Sequence, residues 1–163
     1  MERLLVDVML MRLGRWLRLL GLDVANPPGQ KDSELLQLAR LENRTFLTRD
    51  RKLAEMCRSA GLPCLLIQSS LLEEQLKELA GMGLAMELNP QRCTLCNGPL
   101  APTSEDQISI EPISRDSISR EQVSREPISE ELWRCERCGK LYWEGSHWQR
   151  MEETLRKIRR QEG

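Results

Sequence analysis

Apolar residues in the first half of the chain fall into short runs separated by longer stretches in which they recur every three or four positions. The runs are RLLVD (Arg3 to Asp7), LDVA (Leu22 to Ala25), RTFLT (Arg44 to Thr48) and PCLLI (Pro63 to Ile67), and each predicts a strand. The intervening stretches, MLMRLGRWLRLLG, DSELLQLARLE, RKLAEMCRSAG and LLEEQLKELAG, carry helical periodicity. Gly21, Gly61 and Gly81 stand where a helix end favours a left-handed residue. Strands alternating with helices at short connections predict an α/β fold, a mostly parallel sheet flanked by helices. In the first helix Leu10, Leu13, Leu17 and Leu20 form one stripe, with Trp16 at its edge. Arg12, Arg15 and Arg18 are expected on the opposite side as a basic ridge.

After ELNPQ (Glu87 to Gln91) the leucine-rich pattern gives way to Cys, Pro, Ser and Trp. This places one unit at residues 1–88 and a second at 89–163. The second unit contains a repeat from Ile108 to Leu132, ISIEP ISRDS ISREQ VSREP ISEEL. Five residues turn an α-helix through about 500°, so successive isoleucines land about 140° apart. In a strand the odd period throws them onto opposite faces. Neither element gains an apolar face, so the pentads read as a charged insertion rather than a core element. The stretch from His147 to Gln161 reads as a short basic helix.

Six cysteines are present. Cys57 and Cys64 sit singly within apolar segments and read as buried hydrophobes. The other four form two Cys-x-x-Cys pairs, Cys93 with Cys96 (CTLCNG) and Cys135 with Cys138 (CERCGK). Each pair sets two thiolates on one turn, and two such turns complete a tetrahedral sulfur site for a structural zinc ion with no position left for water. The insertion between the pairs is tolerable, because loop closure costs only about 0.6 kcal/mol per doubling of length. Lys and Arg number 24 against 25 Asp and Glu, so no overall basic field exists and any nucleic-acid contact must be local. Acids at Glu2 and Asp7 and the lack of a long apolar run lead to the expectation of a soluble, cytoplasmic protein without a membrane partner.

Asp7 ends the first expected strand and Asp50 follows the third. Open parallel sheets bind ligands beyond the carboxyl ends of their strands, so these two acids are expected to converge there. Asp32 opens a helix on the same edge, with Glu34 beside it. Converging carboxylates suit a hard cation, Mg²⁺ or Mn²⁺. Each acid also has a structural alternative: Asp32 and Asp50 as helix caps, Asp7 as the partner of an arginine.

The segments LLVDVMLMRLGRWLRLLGLDV, DSELLQLA, TFLTRDRKLA, CTLCNGPL and WRCERCGKLYWEGSHWQRM, in that order, resemble the Mut-seven C-terminal RNase family. The resemblance implies a PIN-like nuclease domain followed by a small four-cysteine zinc ribbon, and a ribonuclease dependent on Mg²⁺ or Mn²⁺. By position it implies catalytic roles for Asp7, Asp32 and Asp50, with Glu34 as a further candidate. Many PIN-like domains carry another acid two residues after the Asp50 position, where this chain has Lys52. That departure leaves open whether one metal or two would bind.

RNA is the expected partner. Arg12, Arg15 and Arg18 are candidate phosphate contacts. Around the second cysteine pair gather Trp133, Tyr142, Trp143, His147 and Trp148, of which His147 and Trp148 are candidate base contacts. The same aromatic rings equally suit a small unit that must shield its metal. With one histidine in the chain, a two-histidine ribonuclease mechanism is excluded. The alternatives to an enzyme are a noncatalytic RNA- or ribosome-binding adaptor and a zinc-braced protein-interaction module.

Overall fold

In the computed structural model, which describes residues 3–27, 29, 31–104 and 131–161, all four expected strands form. The first unit runs β1 (Arg3–Val6), α1 (Met11–Leu19), β2 (Asp23–Ala25), α2 (Asp32–Leu41), β3 (Thr45–Thr48), α3 (Arg51–Ser59), β4 (Cys64–Leu66) and α4 (Leu72–Gly81). The strands are parallel in the order β2-β1-β3-β4. The chain therefore steps one way from β1 to β2 and the other way from β3 to β4, which puts a topological switch point between β1 and β3.

Side chains alternate along β1 as a strand requires. Leu4 and Val6 join Leu47 and Val24 in one buried cluster with Leu13 and Leu17 of α1 and Leu76 and Leu79 of α4. Leu5 joins Phe46 on the other face, under Leu35 and Ala39 of α2 and Leu53 and Cys57 of α3. Helices cover both faces of the sheet, as its apolar strands demand. Trp16 packs against the edge of the first cluster. Burial pushes the Cys57 thiol up to about 12, in keeping with a side chain used as a hydrophobe.

Gly21 and Gly61 adopt the left-handed conformation that ends α1 and α3 (φ 86° and 68°). Gly81 does not. It is the last residue of α4, and Gly83, at φ 90°, makes the left-handed turn two residues later.

The second unit is a three-stranded antiparallel sheet of β5 (Leu100–Thr103), β6 (Leu132–Cys135) and β7 (Leu141–Trp143), in that order. Glu131 and Leu132 are described. The rest of the pentad repeat lies outside the described residues. After β7 comes α5 (Ser146–Gln161), whose Leu155 and Ile158 enter the cluster shared by α1 and α4 while Arg156, Lys157, Arg159 and Arg160 stay exposed. The basic helix expected from the sequence thus packs its apolar stripe on the first unit. Leu155→Ala, which empties a fully buried position, is expected to lower unfolding free energy by about 2–5 kcal/mol in a urea titration. Among the described residues no helix is long and apolar enough to cross a membrane.

Candidate functional site

Asp7 leaves β1 at the switch point and turns at once into a 3-10 turn (Val8–Leu10) that precedes α1. Its carboxylate is almost fully buried and accepts from four donors. The backbone N–H groups of Met9 and Leu10 reach Oδ1 at 2.8 and 3.0 Å; the Thr48 hydroxyl and, at 3.4 Å, the Arg49 N–H reach Oδ2. A buried charge needs this degree of satisfaction. Thr48 also accepts from the Asp50 N–H at 2.9 Å, so a single hydroxyl ties the end of β1 to the end of β3. Asp50 caps α3, its Oδ1 accepting from Lys52 and Leu53 at 2.8 and 3.2 Å. The residue is exposed, and its other oxygen has no hydrogen bond among the described residues.

Asp32 is exposed in the first turn of α2, where Lys31 rather than Asp32 is the capping residue and no side chain caps the end. Glu34 lies in the same first turn and faces Lys31 at 3.9 Å. Asp7 and Asp50 are therefore brought to neighbouring strand ends, and Asp32 to the same edge beside β2. The carboxylates of Asp7, Asp32 and Asp50 do not form a group with ligand atoms within 4.8 Å of one another, since the four cysteines are the one such group among the described residues. In donor type the edge fits a hard divalent cation. The second oxygen of Asp50 and the exposed carboxylate of Asp32 are open to it.

The cysteines of the second unit converge on a single point. Cys93 and Cys138 sulfurs lie 3.6 Å apart and those of Cys96 and Cys135 3.5 Å. Sulfurs arranged tetrahedrally at zinc's bond length would be about 3.8 Å apart. Both turns fold in the same way: the Cys96 N–H points at Cys93 Sγ and the Cys138 N–H at Cys135 Sγ, each at 3.5 Å. The next residue, Asn97 (φ 61°) or Gly139 (φ 73°), is left-handed. In the first turn the left-handed residue is thus Asn97, a residue type that tolerates the conformation. Gly98 is required for room instead, because a Cβ there would meet Arg137 Cβ at 2.9 Å, Cys135 Sγ at 3.0 Å and Cys96 Sγ at 3.2 Å. Burial opposes ionisation of Cys93, yet hydrogen bonds from the Tyr142 hydroxyl and the Cys96 and Leu95 N–H groups hold its thiol down to about 6. Burial pushes Cys138 up to about 12. A metal ion displaces protons from such thiols as it binds.

The family profile described as the Mut7-C RNAse domain matches residues 2–155, a span containing the acidic edge, both cysteine pairs and most of α5. The chain belongs to the Mut7-C RNAse domain family. No curated protein and no solved structure matches it.

In this Mut7-C chain the parallel sheet and the first cysteine turn are fastened together along β2, from Asp23 to Asn26. Arg18 was expected on an exposed ridge with Arg12 and Arg15. Those two are exposed, but Arg18 is buried, only 1% accessible. Its position in α1 turns it beneath β2, where its donors reach Val24 O (2.8 and 2.6 Å), Thr94 O (2.8 Å), Leu95 O (3.4 Å) and Asn26 Oδ1. It clamps the first cysteine turn and has no hydrogen left for a phosphate. Asn97 completes the joint, accepting from Val24 N–H at 3.0 Å and donating to Asp23 Oδ1 at 2.7 Å. Asp23 also accepts from buried Arg44 at 2.8 Å. Burial opposes its charge, but Arg44 and Asn97 more than offset this and hold its carboxyl below the usual range. Side chains thus cover the β2 edge that would otherwise offer open backbone groups. Arg18→Met is expected to destabilise the protein by about 2–4 kcal/mol and to hasten zinc loss to a chelator. A phosphate-contact role would instead weaken RNA binding at unchanged stability.

The aromatic residues divide between shielding and exposure. Tyr142 accepts from the Thr94 N–H at 3.0 Å and lies 3.1 Å from Cys93 Sγ, roofing the cysteine cluster. Trp148, in the first turn of α5, stacks on Trp133 with ring centroids 5.8 Å apart and is half-buried. His147 is exposed at the helix start. Thr48, Asp23, Arg44 and Asn97 were not singled out by sequence. Only Asn97 carried a local signal, its place directly after a Cys-x-x-Cys turn.

Proposed function

We propose that the chain is a ribonuclease that hydrolyses RNA phosphodiester bonds at the crevice between β1 and β3, with Mg²⁺ or Mn²⁺ as cofactor and a 5′-phosphate left on the product. The observation that carries this is the coupling of Asp7 to Asp50 through Thr48 at the switch point, in a chain of the Mut7-C RNAse domain family. Asp7 and Asp50 would hold the cation, with Asp32 and, further out, Glu34 on the same edge. When bound, the cation supplies Lewis acidity, lowering the pKa of water and neutralising charge on the phosphate. Thr48 keeps the Asp7 carboxylate aimed while its backbone donors prevent it from rotating. Asp50, already fixed as a cap, turns its unbonded oxygen outward. Arg12 and Arg15, exposed on α1 directly after Asp7, would bind flanking phosphates, and His147 would contact RNA from the second unit. Zinc, held by Cys93, Cys96, Cys135 and Cys138, serves structure rather than chemistry, since four thiolates leave it no open position.

A second possibility, an adaptor that binds RNA without cutting it, draws support from Lys52 and from the distance among the three acids. The deciding assay is cleavage of single-stranded RNA with and without Mn²⁺. Metal-dependent cleavage by purified, folded protein favours the nuclease, and binding without cleavage favours the adaptor.

A further inference from the structure

Arg49 sits between Thr48 and Asp50, and its surroundings are unusual for an arginine. Its backbone N–H donates to Asp7 Oδ2, which fixes the residue at the switch-point crevice. Its side-chain Nε is sealed from solvent and has no hydrogen-bond partner, the one such buried side-chain atom among the described residues. Three carboxylates stand close in the fold: Asp7 and Glu78 have both oxygens engaged by other donors, and Asp50 has one. Asp7 accepts from Met9, Leu10, Thr48 and the Arg49 backbone. Asp50 accepts from Lys52 and Leu53. Glu78 of α4 accepts from the Gln68 and Ser69 N–H groups at 2.9 and 2.7 Å.

The contrast with the two buried arginines, Arg18 and Arg44, is direct. Arg18 has its donors on carbonyls of Val24, Thr94 and Leu95, and Arg44 reaches Leu4 O, Asp23 and Glu42. Those are structural arginines. A buried N–H left unmet costs free energy comparable to a lost hydrogen bond, so among the described residues no hydrogen bond holds the Arg49 Nε, although the Arg49 charge does act on the Glu78 carboxyl. What the Arg49 Nε lacks is an acceptor, and a phosphodiester brings two non-bridging oxygens in the geometry that the guanidinium fork matches. Charge points the same way. With a divalent cation set against the Asp7 and Asp50 carboxylates, the incoming phosphate's negative charge is left for a neighbouring cation to meet.

The geometry points to Arg49 as the arginine that binds the substrate's phosphate beside Asp7 and Asp50. This rests on the ribonuclease function proposed above and assigns the contact that holds the RNA backbone in that site. Arg12 and Arg15 lie on the solvent side of α1 and engage phosphates farther along the strand.

The test is binding of a single-stranded oligoribonucleotide, titrated with salt and without added Mg²⁺ or Mn²⁺, so that cleavage does not intrude. Arg49→Gln is expected to weaken binding about ten- to a hundredfold and to flatten the slope of log K against log salt by about 0.7, the contribution of one phosphate on a single strand. Arg49→Lys should restore the slope but only part of the affinity, because it keeps the charge and loses the fork. Both variants should melt at or above the wild-type temperature, since no acceptor in the protein is left unsatisfied. Glu78→Gln, which alters the nearest carboxylate of α4, should leave the slope unchanged. An Arg49→Gln variant with the wild-type slope, or one that melts lower and is matched by Glu78→Gln, would make Arg49 a structural support and overturn the assignment. Wild-type protein that binds RNA with this Arg49 dependence yet never cuts it would remove the nuclease function and leave the phosphate contact standing. Wild-type protein that binds no RNA would remove both.

Discussion

Replacing Asp50 by asparagine is expected to reduce Mn²⁺-supported cleavage of single-stranded RNA by about two orders of magnitude or more, with the fold kept near wild-type stability. The separation of the two effects comes from the capping geometry. Asp50 Oδ1 receives the Lys52 and Leu53 N–H groups, and asparagine caps a helix about as well as aspartate. What the substitution removes is the charge on the outward oxygen, the group available to a cation. Asp7→Asn should abolish cleavage to a similar degree but also lower stability by about 1–3 kcal/mol. Its amide can accept from Met9 and Leu10, but its NH₂ then faces the Arg49 N–H, donor against donor. Initial rates on one RNA, with melting curves for each variant, check both parts. Equal rates in wild type and both variants would place the chemistry elsewhere.

The sequence displayed the sheet well because its strands are short and apolar and its helices have caps or left-handed ends. Each expected strand formed within a residue of its run. The C-terminal helix shows where local pattern stops. Its basic residues were plain, but nothing local indicated that Leu155 and Ile158 would pack under α1 and α4 across the whole second unit. Arg18 shows the same limit at the level of one side chain. Helical spacing places it with Arg12 and Arg15, but β2 and the first cysteine turn close over it, and that closure depends on contacts 76 residues apart in sequence. Thr48 was hidden for another reason. Its function lies in a hydroxyl pointing between two strands, and register between parallel strands is not written in either strand alone. The cysteine pairs were legible because four thiols at this spacing have few other uses. The acids were legible as residues at strand ends, whereas their distances depend on side-chain rotamers and on whatever ion joins them.

Removing zinc is expected to unfold more than the small unit that holds it. Four thiolates closing on one ion contribute about 10–16 kcal/mol in isolated zinc-finger peptides, and here they anchor an antiparallel sheet of only three short strands. The cysteine turn is also the acceptor for Arg18, through Thr94 O and Leu95 O, and the partner of β2, through Asn97. Once the turn opens, a buried guanidinium loses part of its hydrogen bonding, and an uncompensated buried charge costs several kcal/mol. The first unit should therefore loosen with the second, in one transition. Chelation, or Cys135→Ser, is expected to lower the melting temperature by about 10 °C or more, given roughly 2–4 °C per kcal/mol at this chain length. Zinc content should fall from one ion per chain to near zero. Below the melting temperature the acidic edge should still bind Mn²⁺, because Asp7 and Asp50 follow β1 and β3 while the joint is made along β2 and the first cysteine turn. A Cys135→Ser protein that retains one zinc and the wild-type melting curve would show that these four sulfurs are not the metal site. One that loses zinc but melts in two separated steps would show that Arg18 does not couple the units.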